Sequence, residues 1–61
     1  MPLVVVKMLE GRTAEQKRQL VREITDVVVR VAGTTEDQVD VMIEDYSRDS
    51  WAKGGTLFSD K

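Results

Sequence analysis

Pro2, Arg12 and Trp51 are the residues of this 61-residue chain whose type and placement suit chemistry. Pro2 follows Met1 directly, so loss of the initiator would leave its nitrogen as a free secondary amine. An α-amino group ordinarily titrates at about 7.7 to 8.0, and desolvation or nearby cations lower that value toward neutrality, where a general base is most useful. The chain has no His and no Cys. That excludes an imidazole base, a thiol nucleophile, a disulfide framework and a Cys/His zinc site, and leaves the amine as the candidate base. The structural alternative is that proline is simply tolerated at the first residue of a strand.

Arg12 stands immediately before Thr13, the N-cap of the helix predicted below, where the helix dipole disfavours a cation. Broken local rules tend to mark functional sites, and a guanidinium there could grip a carboxylate with two parallel hydrogen bonds. Its bland alternative is a solvated turn arginine. Trp51 is the one large aromatic of a polar tail; it suits either the wall of a dry pocket or an anchor at a subunit interface.

The elements that must position these residues follow from the hydrophobic pattern. Pro2 to Leu9 is rich in Val and has no helical period, so it reads as a strand ending at Glu10-Gly11. Val4, Val6 and Met8 point one way and Leu3, Val5 and Leu9 the other, so that both faces call for cover. Thr13 with Gln16 forms a capping box, and Leu20, Ile24, Val27, Val28 and Val31 recur at helical spacing. A helix over 14–32 is predicted, with Gly33 as its left-handed terminator and Glu15, Lys17, Arg18, Arg22, Glu23, Asp26 and Arg30 mostly toward solvent. After a turn at Thr34-Thr35, Val39, Val41 and Ile43 alternate with Asp40, Met42 and Glu44 in a second strand. The tail from Ser47 to Lys61 carries the turn signal Gly54-Gly55 and reads as a loop and short hairpin. Met8 and Met42 read as core filler. Glu36, Asp37, Asp40, Glu44 and Asp45 read as a solvated acidic face, since no calcium-loop pattern is present.

The fold class is therefore α/β (α+β): one β-α-β unit over 1–61 with two parallel strands, one long helix and a short C-terminal hairpin. One helix covers one face of so small a sheet and leaves the second face and both edges open. With no disulfide or metal to staple the core, association with other chains is the remaining route to stability, with sheets extended across subunits. Nine Lys and Arg against eleven Asp and Glu give a net charge of −2, which argues against a nucleic-acid binder. The longest apolar runs, Val4-Val5-Val6 and Val27-Val28-Val29, are far short of the roughly 20 residues of a membrane span. No signal-peptide pattern opens the chain, so a cytoplasmic location is the default expectation.

Pro2 and Arg12 lie at opposite ends of strand one, roughly 25 to 30 Å apart at about 3.3 Å per residue. One chain cannot join them. A second copy of the strand running antiparallel beside the first would bring its Arg12 to this chain's Pro2, so a shared site would lie between subunits.

Pro2 opening a Val-rich strand, then Leu9-Glu10-Gly11-Arg12-Thr13, then Glu15-Gln16-Lys17, resembles the 4-oxalocrotonate tautomerase family over nearly the whole chain. The resemblance implies a homohexamer built as a trimer of dimers that needs no cofactor and no metal. It implies ketonisation of 2-hydroxymuconate, a dienol dicarboxylate, in bacterial catabolism of aromatic compounds. Pro2 would carry the proton, Arg12 of a neighbouring subunit would bind the distal carboxylate, Leu9 would contact substrate, and Trp51 would take the place of an apolar wall residue.

One position departs from the pattern. Where the family's enzymes for this dicarboxylate usually carry a second arginine, at the start of strand two, this chain has Asp40. A carboxylate there removes stabilisation of developing negative charge, repels a dicarboxylate and raises the amine's pKa. Arg48 or Lys53 are the candidates to substitute. Two other readings stay open: a hydratase- or dehalogenase-like member in which Asp40 activates water, and a non-catalytic subunit of a heterohexamer whose partner chain supplies the missing arginine.

Overall fold

The computed structural model describes residues 2–61. Strand β1 (Leu3–Leu9) leads to helix α1 (Ala14–Ala32), then to strand β2 (Asp40–Tyr46), and strands β3 (Ala52–Lys53) and β4 (Thr56–Leu57) form the C-terminal hairpin. β1 and β2 pair in parallel over their full lengths, from Leu3 opposite Asp40 to Leu9 opposite Tyr46. The ladder is prolonged at both ends. The Asp40 amide donates to the Pro2 carbonyl at 2.9 Å, and the Glu10 amide donates to the Tyr46 carbonyl at 2.8 Å. Pro2, which has no amide hydrogen to give, thus joins the ladder as an acceptor just outside the strand.

The helix begins and ends as its sequence dictates. The Gln16 amide donates to the Thr13 hydroxyl at 3.1 Å, and the Thr13 amide donates to the Gln16 side chain at 2.9 Å, closing the capping box. At the other end Gly33, at φ 71°, donates to the Val29 carbonyl. Between β1 and α1 the chain turns at Gly11, φ 120°, with open space around it. There glycine is required by the backbone angle and not by crowding. The hairpin turn has positive φ at both Gly54 and Gly55, the conformation whose twist matches antiparallel strands.

The alternation along both strands sorts the sheet into two faces. Val4, Val6, Met8, Val41 and Ile43 lie under the helix and are half-buried. Lys17 is drawn onto that sheet-facing side and forms an ion pair with Asp45 of β2, so it is not one of the solvent-facing residues the sequence pattern assigns. The other face is open: Leu3 is 57%, Val5 42% and Met42 51% exposed. Met42 is therefore not core filler. It shares the face of Leu3 and Val5, which no element of this chain covers.

No described residue is fully buried. The accessible surface is 4630 Å², against about 4,000 Å² for a compact protein of this mass. The radius of gyration is 14.6 Å, against about 10.5 Å for a compact 61-residue domain. At 43 × 23 × 13 Å the chain is close to one sheet plus one helix thick. A layer with an apolar uncovered face is stabilised by association, which adds free energy that depends on concentration.

Two outcomes are expected. The thermal unfolding midpoint should rise with protein concentration over the micromolar range, and a concentration-independent midpoint would show that the single layer stands alone. Thr13→Ala should cost about 0.5 to 2 kcal/mol of stability through loss of the cap, measured by urea unfolding at fixed protein concentration.

Candidate active site

The ladder decides which functional side chains can meet. At its N-terminal end Pro2 is half-buried and Asp40 exposed. The two are tied by the 2.9 Å hydrogen bond from the Asp40 amide to the Pro2 carbonyl, one inter-strand step or about 4.8 Å between backbones. Leu3 and Asp40 are direct partners in the register, so the Asp40 side chain rises on the open face beside Leu3. Among the described residues the Asp40 carboxylate has no ion pair and no hydrogen bond. Most of its acidic neighbours are engaged: Glu36 with Arg22 at 2.9 Å, Glu44 with the Tyr46 hydroxyl at 2.8 Å, and Asp45 with Lys17. The acidic face of the sequence is thus several local pairings on different surfaces plus one free carboxylate. No group of three or more potential metal-ligating side chains forms among the described residues.

At the far end of the sheet stand Leu9, Arg12 and Trp51. Arg12 lines a groove of about 290 Å³ with Met8, Gln16, Lys17 and Leu20, on the side covered by the helix. Its guanidinium has no ion-pair partner among the described residues. The capping box occupies the Thr13 and Gln16 amides. An anion at this groove would meet the Arg12 side chain together with the Ala14 and Glu15 amides, which the capping box leaves unengaged among the described residues. Trp51 lies toward the open face, lining a shallow hollow of about 350 Å³ with Lys7, Tyr46, Ser50 and Ala52. Its ring meets Tyr46 edge-on at 5.9 Å and Phe58 at 6.2 Å between centroids, and its carbonyl accepts from the Phe58 amide at 2.9 Å.

Trp51 is therefore the centre of an aromatic trio, a grouping the sequence reading missed. Two signals pointed to it: Tyr46 continues the open-face alternation of β2, and Phe58 directly follows the hairpin. Arg48 and Lys53 follow β2 at this same end, away from Asp40. Within one chain neither stands beside Pro2. The molecule thus separates into a proline and carboxylate end and an arginine and aromatic end, and a single chain unites neither Pro2 with Arg12 nor Pro2 with Trp51.

The hydrogen bond to Glu44 raises the Tyr46 pKa above its ordinary value, with desolvation and the Glu44 charge acting the same way. A folded-state value above the unfolded one means that this contact stabilises the fold below about pH 10 and is lost as pH rises through the folded value. Tyr46 is the sole tyrosine, so spectrophotometric titration should show one phenol ionising above 10, and Glu44→Gln should bring it back down.

Comparisons with known proteins agree with this fold. A family model described as tautomerase enzyme matches residues 2–61. The 2-hydroxymuconate tautomerase of Bacillus subtilis is 48% identical over 60 residues, covering 98% of this chain and 97% of that protein. A solved 4-oxalocrotonate tautomerase homologue superposes with a TM-score of 0.96 at 46% identity, covering 100% of this chain and 97% of the other. A heterohexameric 4-oxalocrotonate tautomerase from Chloroflexus aurantiacus superposes with a TM-score of 0.91 at 29% identity, over 97% and 95% of the two chains.

Proposed function

The chain belongs to the tautomerase family of isomerases, and we propose that it ketonises a small 2-hydroxydienoate, of which 2-hydroxymuconate is the reference compound. In this reading the Pro2 amine, freed by loss of Met1, takes the proton of the 2-hydroxyl and returns it to carbon 3 or carbon 5. The electron pair moves from the enol oxygen through the conjugated system to the carbon that gains the proton. Nothing is oxidised or reduced, and substrate and product are isomers. Arg12 of a neighbouring subunit grips a substrate carboxylate and draws electron density toward it, while Leu9 and Trp51 supply apolar walls.

The observation that supports this reading is the separation of Pro2 and Arg12 to opposite ends of a ladder with two open edges and an open face. A second copy laid antiparallel along β1 brings unlike ends together. That edge pairing leaves Leu3, Val5 and Met42 on the open face, which further copies packed against the face would cover, so an assembly of more than two chains answers both the uncovered surface and the divided site. A homohexamer, the arrangement implied by the family resemblance, satisfies this geometry; a heterohexamer is the variant in which a different chain provides the facing arginine.

The free carboxylate of Asp40 beside Pro2 supports a second reading, in which Asp40 activates water for addition to an unsaturated acid. Absence of hydration products from 2-oxo and haloacrylic acids removes it.

Purified active protein is expected to be lighter than the full sequence by one methionine residue. Pro2→Ala should lower kcat/KM for ketonisation by about 10² to 10⁴, the range of a lost general base. Arg12→Ala should lower it by about 10² to 10³. Because the base works unprotonated, kcat/KM should fall as pH drops through the amine's pKa and level off above it. Unchanged ketonisation in Pro2→Ala overturns the assignment.

A further inference from the structure

Asp40 has no part in the ketonisation above, yet it is the charged residue whose backbone is tied directly to Pro2. Its amide is bound to the Pro2 carbonyl at 2.9 Å. Its Cα is the ladder partner of Leu3. Its carboxylate is exposed and, among the described residues, has neither an ion-pair nor a hydrogen-bond partner. Three cations of the chain are engaged elsewhere. Lys7 is held toward Glu44 at 3.9 Å, Lys17 by Asp45, and Arg22 by Asp26 and Glu36. Arg48 and Lys53 lie beyond the opposite end of β2. The open face at the Pro2 end of the ladder therefore carries one unpaired carboxylate beside the apolar side chains of Leu3, Val5 and Met42.

A molecule held at Pro2 extends in two directions: one end reaches the cation of the facing subunit and the other passes over Asp40. Two like charges about one strand spacing apart repel appreciably even at the effective dielectric of a protein surface. From this geometry we propose that Asp40 is a specificity-determining residue that selects monocarboxylates. The single carboxylate of the substrate sits on the facing Arg12, and the end above Asp40 is uncharged or donates a hydrogen bond to it. The inference rests on the site proposed above and narrows its substrate class: the 2-hydroxydienoate carries no second carboxylate.

The test compares kcat/KM for 2-hydroxymuconate with that for 2-hydroxy-2,4-pentadienoate, the same dienol less its distal carboxylate, in the wild type, Asp40→Asn and Asp40→Arg. The wild type should favour the monocarboxylate by about tenfold or more. Asp40→Asn should bring the ratio toward one, mainly through KM for the dicarboxylate, and Asp40→Arg should invert it. In the wild type alone the preference should shrink as ionic strength rises from 0.01 to 0.5 M, since the Debye length falls from about 30 Å to a few Å. That readout needs no variant to fold, and a purely structural role for Asp40 would not move it. Pro2-dependent activity with a ratio indifferent to both Asp40→Asn and salt overturns the selection and leaves the tautomerase reading standing. Activity on neither compound overturns both.

Discussion

The parallel ladder between β1 and β2 is the constraint on which the rest of the molecule depends. A parallel pair needs a long crossover, and here the crossover is the 19-residue helix that covers one face of the sheet. The register, once set, leaves no freedom at either end: Asp40 must stand beside Pro2, and Tyr46 beside Leu9. A shift of one residue would turn Val41 and Ile43 out from under the helix and lift Met42 and Glu44 beneath it, breaking the Lys17–Asp45 ion pair as well. The apolar contacts that fix the register therefore also fix the distance between the proline end and the arginine end.

That same ladder explains why a chain of this size need not be finished by itself. A two-stranded sheet with one helix can bury one of its faces, and many charged residues of this chain are spent on the helix surface, on one pair that bridges helix to strand and on one that ties the helix to the turn before β2. Little polar character remains for the open face. Lys7 and Glu44 partner each other across it, so their charges are largely offset, and Leu3, Val5 and Met42 surround them. A surface of this kind is costly to leave in water, and apart from the free carboxylate of Asp40 at its Pro2 end it can be covered without stranding a lone charge.

Much of this is written in local sequence signals. The helix boundaries follow from Thr13, Gln16 and Gly33 because capping acts over three or four residues, and the faces of β1 follow from strict alternation. The hairpin is marked by two adjacent glycines. What the sequence left obscure depends on contacts between distant residues. Lys17 looks like a solvent residue until Asp45, 28 positions away, is placed opposite it. Met42 looks like core until the helix is seen to lie on the other side. The Tyr46, Trp51 and Phe58 grouping arises because the hairpin folds back on the end of β2. For the candidate site, Pro2, Arg12 and Asp40 stand out by residue type and position, but the pairing of Asp40 with Pro2 requires the register. The union of Pro2 with Arg12 requires a second chain.

Asp40 also bears on the proposed Pro2 base, in a direction that ties chemistry to assembly. A carboxylate near a secondary amine favours its protonated form, which withdraws the base from service at neutral pH. Desolvation acts the opposite way, because an apolar environment penalises the ammonium. In the single chain Pro2 is half-buried beside an exposed Leu3, so desolvation opposes the carboxylate only in part. In the proposed assembly the covered apolar face around Leu3, Val5 and Met42 and the incoming guanidinium of a facing Arg12 both favour the neutral amine. Association would thus do more than bring a missing arginine into reach: the burial that stabilises the layers is what allows a proline amine to act as a base next to a carboxylate.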